Sequence, residues 1–312
     1  MTLMNKPGTY PKNIFVSLND LLKMEHLSKG FSFLASKQKV RSLLGGKHAS
    51  KLRGRGLDFE EVRHYVPGDD IRNIDWKVTA RTQKTHSRVY SEEKEKPTLI
   101  VVDQSKSMFF GSQKKTKSVV AAELAALTAF KVLKEGDRVG GIVFADNGID
   151  IVYPKRDRKN ILRFLEKIVT RNRELIDSKP IEFDKALAET LAKVKNIVTH
   201  DFLVVIISDF QRYRPELIKF ITRISRHNDV ILAKVYDPME KSIPKKKLIA
   251  GNGEKQLLID GENASLRQEF KDDFDGEFEK FKVEMKKHRI PVLSVNTVHE
   301  TDVQLKELFK RT

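Results

Sequence analysis

The chain has 312 residues, 39% of them apolar and 33% charged, and 59 basic against 43 acidic side chains give it a formal net charge of +16. That composition excludes a disordered chain, and the length allows a sizeable core in two domains or in one domain with an extension. There is no cysteine, which excludes disulfides, thiolate metal sites and cysteine nucleophiles and fits a reducing compartment.

The charge is uneven, because residues 1–57 hold 11 basic and only 2 acidic side chains. A basic arm suits nucleic acid, an anionic membrane surface or an acidic protein. No aromatic-interleaved nucleic-acid module accompanies it, which favours a solvated basic surface. Pro7, Pro11, Asn19 and Asp20 interrupt any signal-peptide core, and runs such as Phe202 to Ile207 fall far short of the ~20 apolar residues of a membrane helix. A cytoplasmic location with no membrane span is therefore expected.

Residues 1–14 read as a loose lead-in. Ser17 followed by Asp20 resembles a helix N-cap, and Leu21, Leu22 and Leu27 supply an apolar stripe for a short helix. Residues 57–96 are dense in both charges. Within them Pro67-Gly68 predicts a tight turn, and Asp69 or Asp70 is placed to cap a helical turn that buries Ile71, Ile74 and the only tryptophan, Trp76. Arg63, Arg72 and Arg81 face Asp58, Glu60, Glu61, Asp69, Asp70 and Asp75 as partners in a salt-bridged clasp. Val89 and Tyr90, among alternating polar residues, predict an edge strand.

From Pro97 onward strands and helices alternate. Thr98–Asp103 is an apolar run that ends in a carboxylate, as a strand buried on both faces would. A helix follows over 116–134, then strands over 138–145 and 149–153 joined by the hairpin signal Asn147-Gly148. Helices are predicted over 158–169 and 181–198. Phe202–Asp209 repeats the theme of a buried strand that ends in a carboxylate. A helix over 215–227, a strand over 230–236, a hairpin over 248–259, a helix over 266–289, a strand over 291–295 and a helix over 302–309 complete the chain. The pattern predicts an α/β fold with a doubly wound, mostly parallel sheet over 97–312, preceded over 1–96 by a smaller basic α+β module.

Asp103, Ser105, Ser107 and Asp209 form an all-oxygen set at two strand ends, where open parallel sheets bind ligands. Such a set suits Mg²⁺, Mn²⁺ or Ca²⁺ and not zinc, and it leaves a coordination position open. Asp103 and Ser105 could equally cap the next turn through backbone N–H groups. Other chemistries lack their residues: Ser105 stands where a haloacid-dehalogenase-type phosphatase needs a second aspartate, and there is no P-loop and no Gly-x-Ser-x-Gly elbow. The eight histidines show no i, i+4 pair, and His64 reads as a structural residue.

Asp103-x-Ser105-x-Ser107 after an apolar strand, with Asp209 ending a later one, resembles the metal-ion-dependent adhesion site of von Willebrand factor A domains. Upstream, Gly54-x-Gly56-x-Asp58-Phe59, Arg63-x-Tyr65-x-Pro67-Gly68-Asp69-Asp70-x-Arg72 and Ile74-Asp75-Trp76 resemble the signature of the bacterial family called domain of unknown function 58. The resemblance implies an A-type, Rossmann-like fold for 97–312 and serines that bind the metal directly. It also implies aspartates that act largely through water and an acidic side chain from a partner protein to complete the shell. It further implies a non-enzymatic adaptor beside a MoxR-type AAA+ ATPase, assisting the assembly or activation of other proteins. Lys106, Gln211 and Arg212 are expected on the rim of that site. The family's threonine is expected at Ile181 or Glu182, counting back from Ala186-Leu187; neither has a hydroxyl, and Ser178 and Asp184 are the nearest substitutes. The alternatives from other classes are a Mg²⁺-dependent phosphohydrolase and a nucleic-acid-binding protein that uses residues 1–57 and Lys245–Lys247.

Overall fold

Continuous apolar strands and a helix that is apolar on every side set the architecture of the larger part of the chain. The structure, a computed structural model, describes residues 11–30, 57–92, 96–177, 183–210, 215–251 and 256–310. It divides into two units, Leu44–Glu95 and the remainder, Met1–Leu43 with Lys96–Thr312.

In the larger unit the strands β3 (Thr98–Asp103), β4 (Val139–Ala145), β5 (Gly148–Lys155), β6 (Leu203–Ser208), β7 (Asp229–Tyr236) and β10 (Val292–Asn296) form one sheet. Its order is β10-β7-β6-β3-β4-β5. All neighbours run parallel except β4 and β5, which are antiparallel across the Asn147-Gly148 turn. Counting only these six strands, this is the 3-2-1-4-5-6 order of doubly wound folds, whose switch point lies between the first and fourth strands. Those strands are β3, which ends in Asp103, and β6, which Asp209 follows.

Ile100 and Val102 of β3 face one apolar core, and Leu99 and Val101 face the other. The first core is dominated by the helix α3 (Lys117–Lys134), in which all but three residues are buried. A helix so apolar needs cover on all sides. The sheet covers one side, and α4 (Arg158–Glu174), α9 (Thr301–Lys310) and α1 (Leu18–Leu27) cover the rest. The second core is closed by α5 (Phe183–Ile197), α6 (Pro215–Ile224) and α8 (Ala264–Lys287). A short turn of helix, α7 (Pro238–Lys241), follows β7, and β8 (Lys247–Gly251) pairs with β9 (Gln256–Asp260) as the expected hairpin. The α1 helix, grouped by sequence with the basic module, lies in the larger unit because its Leu21 is buried in the core around α3. Its N-cap is Ser17, whose hydroxyl oxygen accepts from Asp20 N–H.

The smaller unit adds one strand and corrects one expectation. The charged stretch Leu57–His64 is a strand, β1, paired antiparallel with β2 (His86–Glu92) around a bulge at Phe59/Glu61. Ile71 and Trp76 were expected to be buried and are 67% and 69% exposed. The turn after Asp70 is three residues of 3₁₀ helix, and the buried side chain there is Asp75. Asp75 caps the helix α2 (Trp76–Thr82) and takes Arg88 at 2.8 Å. The clasp otherwise forms through Arg63–Asp69 at 2.7 Å and Arg72–Asp70 at 3.2 Å. His64 sits opposite His86 with ring centroids 4.4 Å apart.

The start of α9 is tied to the start of α3 by buried charge. Lys115 donates to Glu123 at 2.8 Å and to Glu300 at 2.9 Å, and the Thr301 hydroxyl donates to Glu123 at 2.5 Å. Hydrogen bonds from Lys114 and Lys115 hold the Glu300 carboxyl down at about 2. A carboxyl depressed in the folded state stabilises it above the unfolded pKa and loses that contribution as pH falls through the folded one. Glu300→Gln is therefore expected to lower stability at neutral pH and to flatten the acid limb between pH ~4.5 and ~2, read from denaturant midpoints across that range.

Candidate functional site

Asp103 is the last residue of β3 and is fully buried. The Ser105 N–H donates to its Oδ1 (2.9 Å) and the Ser208 hydroxyl donates to its Oδ2 (2.6 Å). Burial first and the nearby Asp209 charge second push its carboxyl up to about 7. Capping thus describes Asp103 in part, since it holds the turn that follows. It does not describe Ser105, which makes no side-chain cap bond. The Ser105 hydroxyl lies instead 3.2 Å from the Ser107 hydroxyl, and Ser107 is half-buried. Two ligands at right angles around Mg²⁺ at ~2.1 Å are about 3 Å apart, so the hydroxyl pair has the spacing of one edge of such a shell.

The 3₁₀ turn that carries the serines, Lys106–Met108, is pinned from both sides. The Lys106 N–H donates to Asp146 (2.6 Å), and the Lys106 ammonium, expected on the rim, donates to the carbonyls of Leu175 (2.6 Å) and Ile176 (3.3 Å). Gln104 is fully buried; its amide donates to the Ser118 carbonyl (3.0 Å) and accepts from Asn172 (3.0 Å). Asn172 in turn accepts from Val16 N–H (2.9 Å). Every member of this buried network is paired, the condition under which a polar network rigidifies a core.

At the end of β6 the chain turns sharply. Phe210 adopts a left-handed φ of 48° and its N–H donates to the Ser208 oxygen (3.2 Å). Asp209 is buried, and its carboxylate takes the Lys117 ammonium at 2.9 Å. Lys117 also pairs with Glu240 at 2.5 Å. Burial pushes the Lys117 amine down, but the two carboxylates outweigh that and raise it above its ordinary value. Glu240 accepts the Asp237 N–H (2.9 Å) in a capping box. The Asp237 carboxylate, fully buried, gathers the Ser112 N–H and hydroxyl, the Thr297 hydroxyl and Met239 N–H. Lys234, packed over the Phe274 and Phe278 rings at 4.8 and 4.2 Å, is pushed down to about 8 by burial.

The structure therefore brings Asp103, Ser105 and Ser107 together in one loop, with Asp209 beside them but engaged by Lys117. Among the described residues there is no group of three or more carboxylate or imidazole side chains that could hold a metal. The donor set that fits a hard cation is the hydroxyl pair with carboxylates behind it, a mixed set in which Ser105 is buried and only Ser107 is partly open to solvent. Ser178, Ile181, Glu182, Gln211 and Arg212 lie outside the described residues, as does the Asp184 side chain. Sequence reading missed Gln104, Lys117, Ser208 and Glu240. One signal was present: between Lys117 and Lys131, Glu123 is the only charged residue, so Lys117 begins an apolar helix with nowhere to put a charge except inside.

A family model described as "Protein of unknown function DUF58" matches residues 61–278. The uncharacterized protein Mb1516 of Mycobacterium bovis is 30% identical over 215 residues, which are 68% of this chain and 65% of that protein; the match spans just under two thirds of the relative's length. BatB from Bacteroides thetaiotaomicron, a conserved hypothetical protein of known structure, aligns with a TM-score of 0.43 at 16% identity over 69% of this chain and 97% of that one. A von Willebrand factor type A structure from Catenulispora acidiphila aligns with a TM-score of 0.38 at 10% identity over 72% and 43%. No described helix is long and apolar enough to cross a membrane. The strand order β10-β7-β6-β3-β4-β5 by itself makes the sheet doubly wound.

Asn172→Ala removes the partner of both Val16 N–H and Gln104. It is expected to lower the unfolding free energy by about 1–3 kcal/mol, the cost of orphaned buried polar groups, and to speed amide exchange at Ser105, measured by denaturant unfolding and hydrogen exchange.

Proposed function

The chain belongs to the DUF58 family, whose model covers more than two thirds of it, and on that premise we propose that it is a non-enzymatic cytosolic adaptor that docks a partner protein at the β3/β6 strand ends. The observation that carries this reading is the Ser105/Ser107 hydroxyl pair, 3.2 Å apart at the switch point of the sheet with Asp103 buried behind it. In the proposed docked state Mg²⁺, Mn²⁺ or Ca²⁺ is held by the two hydroxyls, and Asp103 and Asp209 act through water. An acidic side chain of the partner completes the shell. A carboxylate on a partly dehydrated cation is a strong, charge-assisted contact and discriminates against neutral partners.

The family resemblance makes a MoxR-type AAA+ ATPase the proposed partner, with the adaptor assisting assembly or activation of other proteins while the ATPase does the ATP-driven work. The phosphohydrolase alternative asks a carboxylate to reach a phosphoester, whereas both Asp103 oxygens are engaged and the residue is fully buried. The nucleic-acid alternative rests on residues 1–57, most of which lie outside the described residues, and on the exposed Lys245–Lys247. Asp103→Ala and Ser107→Ala are each expected to weaken capture of the cognate AAA+ ATPase in Mg²⁺ by about tenfold or more, as loss of a ligand or its supporting shell does. Capture equal to that of the unaltered chain, with and without Mg²⁺, would sink the reading.

A further inference from the structure

Lys117 stands in an unfavourable place for a cation. It opens α3, where the helix dipole is positive and opposes it, and its side chain is completely buried, away from the water that solvates an ammonium. Both penalties are met by two carboxylates that reach it from other strand ends: Asp209 after β6 at 2.9 Å, and Glu240 in α7 after β7 at 2.5 Å. One Nζ thus joins the helix after β3 to the ends of β6, its neighbour in the sheet, and of β7, the next strand beyond. Asp209 is also one of the two strand-end carboxylates that would balance the charge of a bound divalent ion, and here an amine of the same chain, shared with Glu240, already pairs with it.

We infer that Lys117 is the resident cation of the strand-end site, neutralising Asp209 in place of a divalent ion and leaving Asp103, Ser105 and Ser107 as the part of the site still open to metal. The ammonium is attached to the chain and needs no loading, so the turn after β6 keeps its shape in the presence of chelator. A divalent ion entering beside the serines meets one uncompensated strand-end carboxylate rather than two, and it meets repulsion from the buried amine. The native site is therefore a weak divalent-ion binder whose weakness is set by Lys117.

The inference borrows from the docking reading only the identification of the site. Its test uses metal without any partner, so a failed capture experiment leaves it standing. The full chain is titrated with Mn²⁺, and free Mn²⁺ is counted by electron paramagnetic resonance for the unaltered protein, Lys117→Met, Lys117→Met/Glu240→Gln, Asp103→Asn and Asp209→Asn. The double variant removes the surplus carboxylate that would strain Lys117→Met, and circular dichroism establishes which variants fold. The expected result is Mn²⁺ affinity at least about tenfold higher in a folded Lys117 variant than in the unaltered chain, with Asp209→Asn weakening native binding less than Asp103→Asn does. Affinities within about twofold across the unaltered and folded Lys117 variants, no Mn²⁺ binding by those variants, or an Asp209→Asn loss as large as that of Asp103→Asn would each overturn it. If neither Lys117 variant folds, the comparison of Asp103→Asn with Asp209→Asn decides alone.

Discussion

Helix α3 is buried along almost its whole length, and a buried helix must satisfy its ends as well as its sides. Four N–H groups at its start have no intrahelical partner. Thr116 caps one of them, Val119 N–H, with its hydroxyl and in turn donates to the Ile14 carbonyl, while Lys117 N–H donates to the Phe110 carbonyl and Thr116 N–H to the Asn13 carbonyl. The same burial forces each buried charge on the helix to be paired internally: Lys117 with Asp209 and Glu240, and Glu123 with Lys115 and Thr301. The strand-end loop, the α7 turn and the start of α9 are all positioned by these obligations. The geometry of the site is thus a by-product of covering one apolar helix.

That origin gives the site its character. Its carboxylates are buried and hydrogen-bonded, which suits holding a fixed shape and works against nucleophilic attack or proton shuttling at the surface. Its most accessible oxygen is the half-buried Ser107 hydroxyl, neutral and weakly basic, which acquires affinity only when a cation or a partner's charged group arrives. A surface of this kind discriminates by what completes it.

The parts of the fold that could be read in advance are those in which burial constrains both faces. The runs Leu99–Val102 and Leu203–Ile207 can only be two-sided strands, and the carboxylates that end them marked the switch point before the sheet order was known. β1 escaped notice because a two-stranded ribbon has no second face to bury. Glu61 and Arg63 are tolerated there, and the alternation that betrays a strand is further broken by the bulge at Phe59/Glu61. Trp76 was misplaced by assuming that a large aromatic demands a core. Lys117 was invisible for a different reason: its partners lie 92 and 123 residues away, and no local pattern encodes a contact that only the sheet order creates.

The bond from Val16 to Asn172 spans 156 positions of sequence and ends, through Gln104, one residue from Asp103. The N-terminal segment around Val16 is therefore a tether on the loop that bears the serines. Lifting it removes a donor from Asn172, which frees Gln104 to turn and loosens the loop from beneath. Thermodynamic reciprocity makes this a two-way account. Whatever engages the serine loop and holds it still also tightens the grip on the segment leading back into the most basic part of the chain.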